Sequence, residues 1–129
     1  MTVTPTGYQL PVPSTDLLGS VELEDRARFV SIHFKYFLSG ERRRGSLTFD
    51  NVRAYRHRAE VHCTADQIES GYDQLVEVEE SPWASELRRD TTAVWREYWL
   101  LRHFLIYFDS NGCFEVMAAS WRAEEVLDR

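Results

Sequence analysis

Four side chains capable of acid–base or nucleophilic chemistry sit in one short stretch, "HFLIYFDSNGCFEVMAASW", which runs from His103 to Trp121. They are His103, Tyr107, Cys113 and Glu115. A glutamate can act as a base, and a thiolate can attack an electrophile. A thiol works this way only when it is accessible and a neighbour lowers its pKa. The same residue types are common on the second face of an ordinary hairpin. There a Tyr–Glu cross-strand pair stabilises the sheet, and a buried cysteine is inert packing. The packing role is favoured, with Cys113, Glu115, Tyr107 and His103 kept as weak catalytic candidates.

Which of the four meet depends on the turn. Two apolar runs flank Asp109-Ser110-Asn111-Gly112. A two-residue turn at Asn111-Gly112 sets Phe108 opposite Glu115 and mixes that carboxylate with the phenylalanines. A type I turn from Asp109 to Gly112 with a glycine bulge sets Phe108 opposite Phe114, Ile106 opposite Val116 and Phe104 opposite Ala118. The two registers present opposite faces. The second gives a uniformly apolar face and is the one expected. Its other face then carries His103, Leu105, Tyr107, Cys113, Glu115, Met117 and Trp121. Tyr107 lies opposite Glu115, and His103 opposite Ala119. In that register His103 is too far along the strands to activate Cys113; His33 or His57 would have to do so from another strand.

The remaining elements read as mostly strand. "RFVSIHFKYFL" alternates through Val30, Ile32, Phe34, Tyr36 and Leu38, and "SGERRRG" after it reads as a polar turn. "SLTFDNVRAYRHRAEVHC" reads as a second long strand whose phase breaks at Val52, with a bend near Asp50-Asn51. "TADQIESG" is a short helix capped by Thr64 and ended by Gly71. "YDQLVEVEE" reads as an edge strand. "SPWASELRRD" opens a helix with Ser81 as cap and Pro82 at its first position. Trp95 and Trp99, four apart, read as a core-facing pair, and "RAEEVLDR" as an acidic tail.

Other chemistry is thin. "HRAEVHC" holds His57, His62 and Cys63 but lacks the spacing of a zinc site. No GxGxxG, P-loop, HExxH or GxSxG occurs, and neither a metal nor a cofactor is expected. Charge is more informative. The formal net charge of the 129 residues is -6, which argues against general nucleic-acid binding and suits a basic protein partner. Glu77, Glu79, Glu80 and Glu86, beside Trp83, are the binding candidates, with Glu124 and Glu125 in the tail. The one basic cluster is "ERRRG" with Arg53, Arg56 and Arg58. Arginine supplies nearly all the positive charge, since Lys35 is the only lysine.

Length and composition fit one domain. Residues 1–20 are a Pro/Thr/Ser-rich arm, mobile unless it docks, and residues 21–129 a single globular domain. No apolar run reaches membrane-spanning length, and the N-terminus lacks the features of a secretory signal. Two cysteines are too few for a disulfide framework, so a reduced, cytoplasmic setting is expected.

Three segments, "SLTFDNVRAYRHRAEVHC", "YDQLVEVEESPWASEL" and "LRHFLIYFDSNGCFEVMAASW", together resemble small uncharacterised bacterial β-rich proteins. Those proteins close with an H-(F/Y)-x-I-Y-F-D-x-x-G-x-x-E-V-x-A hairpin. Some similar-looking proteins are immunity partners in polymorphic toxin systems. The resemblance covers about residues 46 to 121 and implies a fold and an inhibitor-like role, with no catalytic residues to carry over.

The expected fold is therefore β-rich α+β, a mainly antiparallel curved sheet or sandwich with one or two short helices. The leading function is a cytoplasmic protein-binding module, immunity-like, for a basic toxin. The alternative is a small-molecule-binding or catalytic domain on the His103/Tyr107/Cys113/Glu115 face, for example in a biosynthetic pathway. A homodimer through a strand edge is a third reading.

Overall fold

The alternation of "RFVSIHFKYFL" becomes strand β3 (Phe29–Leu38), with Val30, Ile32, Phe34 and Tyr36 all buried. Ser39 and Gly40 follow with φ of 54° and 77°. Two consecutive left-handed residues make the tight loop whose twist matches paired strands. Strand β4 (Glu41–Asp50) therefore begins at once and pairs with β3 from Leu38↔Glu41 to Phe29↔Asp50. The polar turn expected over "SGERRRG" shrinks to two residues, and the arginines lie on a strand.

The computed structural model describes residues 1–96 and 98–128. It comprises two antiparallel sheets packed face to face, with two short helices, α1 (Ala65–Gly71) and α2 (Pro82–Asp90). One sheet has the order β2 (Leu18–Arg26), β3, β4, β9 (Ser120–Leu127). The other has the order β1 (Val3–Gln9), β6 (Gln74–Val78), β7 (Arg102–Phe108), β8 (Gly112–Ala118), β5 (Ala54–Arg58). The inner faces interlock through rings: Phe34 meets Phe108 at 5.9 Å between centroids, and Phe49 meets Phe104 at 5.6 Å. Burying each such side chain stabilises by about 1.5–3 kcal/mol.

Three expectations are corrected. The long strand expected over residues 46–63 is two strands in different sheets. Asn51 takes φ 53°, and the next two N–H groups bond to Arg28 O and Met117 O as the chain crosses over. The phase break at Val52 marks this crossing. "YDQLVEVEE" yields β6, which is not an edge strand, because β1 covers it from Val3↔Val78 to Gln9↔Gln74. Residues 1–20 thus contribute a strand, and Leu10 and Ser14 are buried. The acidic tail is β9, paired with β4 from Asp50↔Ser120 to Arg43↔Leu127. Opposite charges fasten it: Arg42 and Lys35 reach Asp128, and Arg122 reaches Asp50 at 2.6 Å.

The β7–β8 hairpin keeps the expected faces but not the expected register. Phe108 pairs with Gly112, Ile106 with Phe114 and Phe104 with Val116. The strands have slid by two residues, a shift that preserves which side chains point inward. Tyr107 accordingly faces Cys113 instead of Glu115, and His103 faces Met117 instead of Ala119. Trp121 leaves the mixed face altogether and packs on the inner core from β9. The loop Asp109-Ser110-Asn111 is held from outside: the Asn111 side chain accepts the Val21 N–H, and its carbonyl accepts from His57 at 2.6 Å.

Gly112 has φ 90° and lies against the backbone carbonyl of Arg58, where a Cβ would collide. Gly112→Ala is expected to destabilise by about 2 kcal/mol or more. Gly40→Ala, with a similar φ but open space around it, costs roughly 1 kcal/mol. Urea unfolding of the two variants checks the difference.

Candidate functional site

The outer face of the five-stranded sheet carries a second apolar cluster of Val76, Val78, Leu105, Tyr107 and Cys113. Both helices lie on this side. Thr64 starts α1 with a reciprocal capping box to Gln67, and Ser81 caps α2 by accepting the Ala84 N–H at 3.0 Å. Between the helices opens a cleft of about 650 Å³, floored by His103 and Glu115.

The floor is one continuous polar chain. Arg56, directly opposite Glu115 on β5, donates to both carboxylate oxygens at 2.8 and 3.2 Å. His103 Nε2 lies 2.7 Å from Glu115 Oε1, and His103 Nδ1 lies 2.7 Å from Ser81 Oγ. A carboxylate only accepts, so the nitrogen facing Glu115 carries the proton. In the neutral ring Nδ1 then accepts the Ser81 hydroxyl proton. Among the described residues no buried side-chain nitrogen or oxygen of this chain lacks a partner. Trp83 covers it, presenting its edge to His103 and its face to the Arg56 guanidinium at 4.1 Å from the ring centroid.

Burial opposes the charged form of Glu115, but hydrogen bonds from His103 and Arg56, together with the charge of Arg56, outweigh it. They hold the pKa down at about 2. Serine, histidine and glutamate stand here in the order that activates a nucleophile. Ser81 is nevertheless only 6% exposed, and its oxygen is committed to the helix cap.

The candidate residues divide. Glu79, Glu80, Glu86 and Trp83 line the cleft together with His103 and Glu115. Glu77 does not line it; it grips Arg102, with a closest approach of 2.7 Å. Tyr107 donates to Glu60 at 2.6 Å and not to Glu115. Cys113 is buried beside them, its thiol pushed well above its ordinary pKa by burial and by the Glu115 charge. His57 bonds to the Asn111 carbonyl, while His33 bonds to Ser46 and Glu24 on the other sheet. Neither histidine is placed to activate that thiol. Glu124 and Glu125 lie on β9, also in the other sheet.

Sequence reasoning placed Arg56 in a basic cluster that could meet phosphate or an acidic partner and Ser81 at a helix cap, and tied neither to His103 or Glu115. Ser81 was visible as a helix cap, but its bond to His103 spans 22 residues. The Arg56–Glu115 pair spans 59 and becomes apparent only when β5 is known to lie beside β8.

Among the described residues no group of histidine, cysteine and carboxylate side chains is arranged to hold a metal ion, and no helix is long and apolar enough to cross a membrane. No protein-family model matches the chain, and neither a curated protein nor a solved structure matches it.

Two outcomes follow from the floor of the cleft. Glu115 binds fewer protons folded than unfolded, so its contribution is fully present above its unfolded pKa of about 4.5 and is lost as the pH falls toward 2. Glu115→Gln should destabilise by about 2–3 kcal/mol near neutral pH, and the gap to wild type should close across that acid window in urea titrations. The Cys113 thiol should not react with a disulfide reagent at pH 8 until the protein unfolds. Mass mapping of the modified cysteine would check this.

Proposed function

We propose that the chain is a cytoplasmic protein-binding module that receives a basic segment of its partner in the cleft, in the manner of an immunity-like inhibitor. One observation carries this reading: Trp83, Glu79, Glu80 and Glu86 converge on a single cleft, in which Arg56 and the N-terminal ammonium are already paired with Glu115 and Asp66. Among the described residues Glu80 and Glu86 have no ion-pair partner. Both are exposed, so a lysine or arginine entering the cleft would gain carboxylates without displacing an internal cation. The Trp83 ring already packs against one guanidinium, a geometry that suits cationic side chains. The net charge of -6 adds long-range attraction to a basic partner.

An acetylated, amidated peptide of alternating arginine and glycine is a direct probe. It should bind the wild-type protein at low ionic strength and weaken as salt is added. Trp83→Ala and the double variant Glu80→Lys/Glu86→Lys should each reduce calorimetric affinity by about tenfold or more. The double variant, on exposed positions, should leave the melting temperature nearly unchanged, whereas Trp83→Ala also uncovers His103 and should lower it. Affinity unchanged in both variants would refute the cleft as the binding site.

The Ser81–His103–Glu115 chain favours a second, hydrolytic reading. A fluorophosphonate reagent separates the two. Stoichiometric labelling at Ser81 would establish an activated serine, whereas the binding reading expects none.

A further inference from the structure

We propose that Trp95, Tyr98, Trp99 and Leu100, with Arg88 and Arg96 beside them, form a second docking surface, and that it receives a short acidic, apolar segment of a protein partner. This goes beyond the cleft reading and does not depend on it. The segment joining α2 to β7 exposes Val94 (81%), Tyr98 (72%) and Leu100 (59%) in succession, and the Trp95 and Trp99 rings are also open to solvent. The pairing expected to face the core is therefore outside it. These side chains are nonetheless held in place. Trp95 stacks on Trp99 at 6.3 Å, and Tyr98 meets both rings edge-on at 5.4 and 5.6 Å. The Arg53 guanidinium lies 3.4 Å from the centre of the Trp99 ring. Arg96 ties the segment back to the end of α2 through the carbonyls of Thr91 and Arg89. A surface ordered before binding loses less conformational freedom on binding.

The charge of the patch selects its occupant. Arg88 and Arg96 line a hollow of about 480 Å³ with Tyr98, Trp99 and Leu100. Among the described residues neither arginine, nor Arg53, has a carboxylate partner. Arg96 holds the carbonyls of Thr91 and Arg89, so the guanidinium fork open to a carboxylate in a two-point contact is that of Arg88, with Arg96 adding its charge. Tryptophan, tyrosine and arginine together are the residues in which binding energy concentrates at protein interfaces.

Three other occupants fit less well. A second copy meeting the same patch would set arginine against arginine. A nucleic acid or an anionic bilayer carries an extended negative field that acts on the whole protein, whose net charge is -6. A short acidic segment places only its few charges at the arginines. The Trp99 face that a base would need is also covered by Arg53.

The test uses a tryptophan-free, blocked nonapeptide of aspartate, glutamate, leucine and phenylalanine, with a control in which serine replaces leucine and phenylalanine. Binding is read by calorimetry and by the emission of the protein's own tryptophans. The proposal expects the first peptide to bind and the control to bind at least fivefold more weakly. It expects Arg88→Gln and Trp99→Ala each to weaken the first peptide at least fivefold, and Lys35→Gln on the opposite sheet to leave it unchanged. Far-ultraviolet circular dichroism identifies any variant that fails to fold; Arg88→Gln, on an exposed helix position, keeps the test open if Trp99→Ala does. The proposal is overturned if neither peptide binds, if both bind equally, or if Arg88→Gln has no effect. It is equally overturned if the patch instead binds phosphatidylserine vesicles or a dT12 oligonucleotide in an Arg88-dependent way, or drives self-association seen by sedimentation.

Discussion

A single buried carboxylate constrains much of this molecule. Every residue of β8 is buried, because one face of the strand meets the opposing sheet and the other lies under the helices. Glu115 sits at its centre. Removing a carboxylate from water costs several kcal/mol unless it is paired and fully hydrogen-bonded. The requirement is met by convergence: Arg56 arrives from β5, and His103 from β7. Ser81, the residue that starts α2, completes the histidine's bonding. The carboxylate thereby links two strand registers and the start of a helix.

That linkage accounts for the register of the hairpin. Hydrophobic parity restricts β7–β8 pairing only to steps of two, since each such step leaves the same side chains facing inward. In the observed register His103 lies diagonally across from Glu115, within reach of a long side chain. Sliding by two residues to pair Phe108 with Phe114 would leave the inner face equally apolar but carry His103 away from the carboxylate. A buried ion pair is not in general more stabilising than an apolar contact of the same volume. Its effect here is discrimination, because the competing register separates His103 from a buried charge. The Asn111 and Gly112 contacts with Val21, His57 and Arg58 act in the same direction at the turn.

What could be read in the sequence follows from the range of each interaction. Local signals were legible. The Thr64 and Ser81 caps, the alternation of β3 and the two faces of the closing hairpin depend on residues within a few positions of each other. The antiparallel, β-rich α+β class followed from them. Long-range pairing was not legible. Residues 3–9 look like a proline- and threonine-rich arm because an edge strand tolerates Pro5 where an inner strand would not. Residues 120–127 look like a tail because the strand that pairs with them, β4, is remote in the chain; the Arg42–Asp128 bond beside it spans 86 positions. At the site, the acidic residues and Trp83 could be named as a group because they are near neighbours in the chain. The polar floor beneath them, assembled from residues 56, 81, 103 and 115, could not.

Helix α2 separates two surfaces of opposite character, and only part of that arrangement is explained by folding. Arg88 and Arg89 occupy its last turn, where the helix dipole favours cations. Those charges have a local reason to be there. Trp83 has one as well, since it shields the buried polar chain and packs on His103. The exposed aromatic segment after the helix has no comparable role in the core: Val94, Tyr98 and Leu100 remain largely in water, and the rings stack mainly on one another. A folded chain gains little from ordering five large apolar side chains at its surface, and isolated exposed residues are ordinary whereas contiguous ones are not. The arginines can therefore be assigned to the helix, but the aromatics cannot be assigned to the fold, and this asymmetry is what distinguishes the segment from the rest of the surface.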